Sequence, residues 1–247
     1  MCRIALISPV VLKVVWFLTS PTAFAQCDAC YEWQPLFGDW SDPGNWVHEE
    51  WDDDEQECVE VPGVPGCANC VLLDFASIDV HGFACANTVK LAASGMDVEN
   101  GGALSVLSEL DVDYMSQVNQ WAGSSANLNT LTVSHYSTAE YFLRGGTLHA
   151  DWVTLGVFGS GRLWHSAGSN VVTYGINFGT GFGPMGSPTG TYVLEAGDLT
   201  TGFLNIAMHT DSVGSFVQTG GTNTVTGGVY LGVSAGSNGS YELSFES

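Results

Sequence analysis

Six cysteines follow residue 25: Cys27, Cys30, Cys58, Cys67, Cys70 and Cys85. Two pairs, Cys27-x-x-Cys30 and Cys67-x-x-Cys70, have the form of a four-thiolate zinc set. Their separation is longer than the usual zinc-ribbon spacing, and an even number in an exported chain favours disulfides. All six are therefore disulfide candidates, with the pairing left open. Eight carboxylates lie between Glu49 and Glu60, including Asp52-Asp53-Asp54-Glu55. The run reads as a solvated acidic loop. Hard oxygen ligands would also suit Ca2+, but the alternating ligands and central glycine of an EF-hand loop are missing. The expectation is no cofactor, with Ca2+ as the one ion to consider.

Catalytic groups are sparse elsewhere. The histidines (48, 81, 135, 149, 165 and 209) form neither H-x-H nor H-E-x-x-H. A G-x-S-x-G elbow is absent. Glycoside hydrolysis needs two opposed carboxylates. From Tyr141 onward the chain offers Asp151, Glu195, Asp198, Asp211, Glu242 and Glu246, without a recognisable pair. The chain therefore reads as not an enzyme.

The elements that position these residues begin with the N-terminus. Arg3, an apolar stretch from Ile4 to Leu18 and Ala23-Phe24-Ala25 read as a signal peptide over residues 1–25, so export to the cell surface or beyond is expected. The mature chain from Gln26 holds only Lys90, Arg144 and Arg162 against 26 acidic residues, a net charge near −23. Nucleic acid is excluded as a partner, because phosphate binding needs Lys and Arg. Anionic polysaccharides are disfavoured for the same reason. Neutral glycans and other surface proteins remain. No later segment is apolar enough to span a bilayer.

A repeat fills the rest. "YFLRGGTLHADWVTLG" from Tyr141 aligns without gaps with "YVLEAGDLTTGFLNIA" from Tyr192, and "YELSFES" begins a third copy at Tyr241. "GRLWHSAGSNVVTYGINFG" from Gly161 aligns with "GSFVQTGGTNTVTGGVYLG" from Gly214. Each unit of about 50 residues divides again, giving a basic period of roughly 22 to 27 residues, a solenoid signal. The apolar residues alternate: Tyr141 and Leu143, Val153 and Leu155, Ile176 and Phe178, Val229 and Leu231. That is the strand period, and glycine, asparagine or threonine closes each run. The fold expected is all-β, a right-handed parallel β-helix over 71–247 of about seven coils, with a Cys/Trp-rich cap segment over 26–70. Tyr141, Tyr192 and Tyr241 should share one column. Leu155 should point inward. His165 aligns with Gln218 and reads as a solvent-facing polar position. Thr222, Asn223 and Thr224 suit a corner.

In the cap, Trp33, Trp40, Trp46 and Trp51 fall within 19 residues, around the turn Asp42-Pro43-Gly44-Asn45. They are expected to cover the open first coil, with glycan stacking as the rival role.

These cap residues (Trp33, Gly38, Trp40, Asp42-Pro43, Asn45 and Trp46), followed by coils reading Y-x-L-x-x-G-x-L and F-x-Q-x-G-G-T, resemble secreted bacterial β-helix repeat proteins. They are similar to autotransporter passenger repeats and to PEP-CTERM-sorted surface proteins. The resemblance implies a structural or adhesive surface or matrix protein without catalytic activity. Two alternatives stand beside it. One is a carbohydrate-binding module using outward aromatics, with Trp164 and Tyr230 as stacking candidates by their parity against Leu163 and Val229. The other is a polysaccharide-degrading β-helix enzyme. The third unit stops mid-coil at Ser247, which suggests a fragment of a longer protein, or self-association through an open C-terminal coil.

Overall fold

A computed structural model describes residues 30–52, 57–181 and 187–244, and the side chains of these residues apart from 30, 49–52 and 57–60. The signal segment and Cys27 therefore lie outside the described residues. So do Asp53-Asp54-Glu55 and the side chains of the rest of the Glu49–Glu60 run.

Among the described residues there is no α-helix. The strands are β1 (Cys30–Trp33), β2 (Phe37–Asp39), β3 (Trp46–Asp52), β4 (Glu57–Pro62), β5 (Cys70–Asp74), β6 (Ser77–Val80), β7 (Phe83–Ala92), β8 (Gly95–Val98) and β9 (Ala103–Asp113). They continue as β10 (Gln117–Gln120), β11 (Ser125–Val133), β12 (Thr138–Leu155), β13 (Ser160–Phe178), β14 (Thr189–Leu194), β15 (Asp198–Ile206), β16 (Val213–Gln218), β17 (Thr222–Leu231) and β18 (Asn238–Leu243). From β5 onward every pairing is parallel and joins one coil to the next, a β-solenoid of about seven turns. The expected parallel β-helix is the observed architecture.

Each coil has three faces. In one coil the first is β10, and the second and third are the two halves of β11, which bends where the register slips between Leu128 and Thr130. Corners follow the first and third faces, and residues with positive φ sit there. Gly168 (φ 87°) follows a first face, and Gly156 (φ 71°) follows a third face. A Cβ on Gly156 would collide with the Thr189 carbonyl, so glycine is required there for space as well as for conformation. Thr222 to Thr224 lie inside β17, and the corner falls earlier, at Gly221 (φ 67°). The Asn223 side chain turns inward.

The inward columns are continuous. On the first face Ile78, Met96, Val118, Tyr141, Leu163, Tyr192, Phe216 and Tyr241 lie in register, coil upon coil. The three tyrosines share one column, as the repeat requires, with one apolar rung between each. On the third face Val112, Val133, Leu155, Phe178 and Ile206 stack, and all are buried.

The cap joins the same stack. β1 pairs parallel with β5, and β2 with β6, while β3 and β4 form an antiparallel hairpin beside β1. Trp33, Trp40 and Trp46 are buried, packed edge-on with ring centroids 4.7 and 4.8 Å apart. They cover the first coil and offer no face to a ligand. Cys67 and Cys85 form a disulfide, with Cα atoms 4.7 Å apart, and Cys70 is also disulfide-bonded. Oxidation of Cys67 and Cys70 removes two of the thiolates that a four-cysteine zinc site would need. The side chains of Cys30 and Cys58 lie outside the described ones.

Candidate functional site

The polar residues inside the solenoid explain why the repeat is two coils long. Tyr192 is buried, and its hydroxyl lies 2.9 Å from His165 Nδ1 and 2.9 Å from Asn170 Nδ2, both on the preceding coil. His165 Nε2 lies 3.2 Å from the Gly168 carbonyl, so Nε2 carries the proton and Nδ1 accepts from the tyrosine. Burial holds the His165 pKa below its ordinary value and keeps the ring neutral. The same arrangement recurs two coils on. The Tyr241 hydroxyl donates to Gln218 Oε1 at 3.2 Å and accepts from Asn223 Nδ2 at 3.1 Å. One double unit earlier, the Tyr141 hydroxyl donates to Gln120 Oε1 at 2.7 Å. Where the column holds Phe216 instead of tyrosine, the equivalent positions of the preceding coil are Leu194 and Leu199. Polar and apolar coils thus alternate, and each tyrosine hydroxyl bonds the polar coil before it. His165 is consequently not a solvent-facing position. It shares the inward parity of Leu163, two residues earlier on the same strand, and is fully buried.

The two glycan-stacking candidates sit on different faces. Trp164 is half-buried on the first face, in the column Asn119, Phe142, Trp164, Val193. The Arg162 guanidinium lies 4.2 Å from its ring centre, and its Nε1 donates to Glu195 Oε2 at 2.7 Å. One side of the indole is therefore covered by a cation. Arg144 lies over Phe142 and Trp121 in the same way, at 4.7 and 5.2 Å. Beside this row an open depression of about 510 Å3 lies among Met115, Gln117, Glu140, Arg162 and Thr191. Tyr230 is exposed on the third face, near Phe203.

A third group was missed by reading the carboxylates only from Tyr141 onward. Glu109, Asp111 and Asp113 alternate along β9, on the outward side of the third face. Thr132 Oγ1 donates to Glu109 Oε1 at 2.7 Å, and Asp113 accepts from the backbone N–H groups of Tyr136 and Ser137. Asp111 is buried and its Oδ1 has no hydrogen-bond partner. Burial, reinforced by Glu109, pushes its pKa up to about 7. His135 Nδ1 lies 3.9 Å from Asp111 Oδ2, but burial lowers the histidine pKa as well. Both shifts favour the neutral forms, so the contact is not a fixed ion pair at neutral pH. A carboxyl titrating near 7 has the value a general acid needs, but Oδ1 is shut off from solvent, so no external substrate reaches that oxygen. The ring stack of His135, Tyr136 and Phe158 flanks the cluster, with centroids 4.4 and 5.8 Å apart. Among the described residues no group of three or more His, Cys, Asp or Glu side chains is placed to hold a metal ion, and no helix is long and apolar enough to cross a membrane.

The described strands define a parallel β-solenoid of about seven turns. Comparison with protein-family models, with curated proteins and with solved structures gave no match.

Proposed function

We propose that the chain is an exported structural and adhesive rod of the cell surface or extracellular matrix, without catalytic activity, that makes contact with neutral glycans. One observation carries this reading: exposed Trp152 and Phe203 stand in one outward column two coils apart, with Tyr174 and Tyr230 exposed beside them. Aromatic faces stack on the apolar faces of sugar rings, and a solenoid repeats such a contact along its length. The net charge of −21 favours neutral over anionic polymers. Cys67–Cys85 supports an oxidising compartment. A glycan array probed with the full chain is the test. Binding to neutral glycans is expected, and a blank array would refute adhesion through sugars.

A further inference from the structure

Four outward aromatics line the third face: Trp152, Tyr174, Phe203 and Tyr230, which are 37%, 52%, 39% and 47% exposed. They form two pairs. The Trp152 and Tyr174 ring centroids are 5.5 Å apart and tilted by 31°, and those of Phe203 and Tyr230 are 6.3 Å apart and tilted by 32°. Trp152 and Phe203 occupy one column with Gly175 between them. They are therefore two coils apart, roughly 9.6 Å at the usual strand spacing.

Glycines give the rings room to lie against the sheet. A Cβ on Gly175 would stand 3.4 Å from Trp152 Cζ3, and one on Gly228 would stand 3.4 Å from the Tyr230 ring. A Cβ on Gly227 would run into the Phe203 ring. The Trp152, Phe203 and Tyr230 rings thus lie beside bare backbone, and each stays at least a third exposed. This differs from Trp164, whose ring is covered by Arg162.

The surroundings are polar and almost uncharged. The column on one side holds Thr132, Thr154, Asn177 and Asn205, with Asn205 Nδ2 donating to Asn177 Oδ1 at 2.8 Å. The column on the other side holds Asn127, His149, Val171 and Thr200. On the second and third faces of these coils, Asp151 and Asp198 are the acidic residues.

We propose that this face binds an extended, neutral, β-1,4-linked polysaccharide chain lying along the solenoid axis, with Trp152 and Phe203 as its principal stacking platforms. The proposal rests on the adhesive reading above and names the ligand class and the site. An extended β-1,4 chain is a flat ribbon that turns an equivalent ring face outward at every second sugar. The two-coil interval between Trp152 and Phe203 is close to the length of that disaccharide. A coiled α-linked glucan does not keep its ring faces in such a line, and an anionic polymer would be repelled by the chain's charge.

Calorimetric titration of the full chain with cellohexaose, chitohexaose and maltohexaose tests the proposal. One or both β-linked hexasaccharides should bind, and maltohexaose should not. Trp152→Ala and Phe203→Ala should each weaken binding tenfold or more, and Trp152→Phe should restore part of the loss. Trp164→Ala should leave affinity unchanged. Equal binding of maltohexaose, or undiminished binding by Trp152→Ala, would overturn the proposal. An array that shows another neutral glycan, bound regardless of Trp152 and Phe203, overturns this site but leaves the adhesive reading standing. A blank array overturns both.

Discussion

Tyr192→Phe removes a single oxygen from the core, yet it strands two other groups. His165 Nδ1 and Asn170 Nδ2 both bond that hydroxyl at 2.9 Å, and Asn170 Oδ1 already lacks a partner. Each buried polar atom left unsatisfied costs about 1–3 kcal/mol, so the loss should total roughly 2–6 kcal/mol. The protein contains its own compensated version, because Phe216 packs on a coil that carries Leu194 and Leu199 at the equivalent positions. The triple variant Tyr192→Phe, His165→Leu, Asn170→Leu copies that coil. It should return to within about 1.5 kcal/mol of the wild type, since no polar atom is then stranded and the core stays filled. Urea unfolding followed by tryptophan fluorescence reads both variants. If Tyr192→Phe costs less than about 0.5 kcal/mol, or the triple variant is weaker than the single one, the polar and apolar alternation is not what pairs the coils.

Other outcomes follow from the same structure. Leu155→Asp places an unpaired charge in a buried column and should cost several kcal/mol, on the order of 4, in the same unfolding measurement. Cys67→Ser opens the link to Cys85, 18 residues away, and should lower stability by about 3 kcal/mol, seen as a loss in melting temperature without reductant. Two pH effects have opposite signs. His165 is held neutral, its pKa depressed in the fold, so its contribution is present above the ordinary value of 6.5 and is lost as pH falls below it. Asp111 is raised from 3.8 to about 7, so its contribution is complete below 3.8 and is lost as pH rises through 7. Asp111→Asn should therefore flatten the alkaline loss, by at most about 4 kcal/mol for three pKa units, in melting temperatures recorded from acid to neutral pH.

Residue order alone lays out most of the strands, the solenoid and the column shared by Tyr141, Tyr192 and Tyr241. Alternation is a local property, and a repeat at constant offset carries it from coil to coil. The buried cap tryptophans and the turn at Pro43–Asn45 were also legible, from aromatic density and turn chemistry. His165 could have been read correctly from its parity with Leu163. Its polarity pointed the other way, and the partner that makes burial tolerable, Tyr192, is 27 residues distant. The ELDVD run from Glu109 to Asp113 was equally visible as three carboxylates on one side of a strand. What buries Asp111 and orients Asp113 is the 134–137 turn of the next coil, which spacing along β9 cannot reveal. The column of Trp152, Gly175 and Phe203 depends on register slips after Ala150 and Val172, and those arise where the coil bends between its second and third faces. Likewise six cysteines allow many pairings, and only the stacking of coils brings Cys67 and Cys85 to 4.7 Å between Cα atoms. Periodicity fixes which side of a strand a residue takes. Which residues meet across coils is set by bends and insertions that shift one coil against the next, and these exist only once the chain is wound.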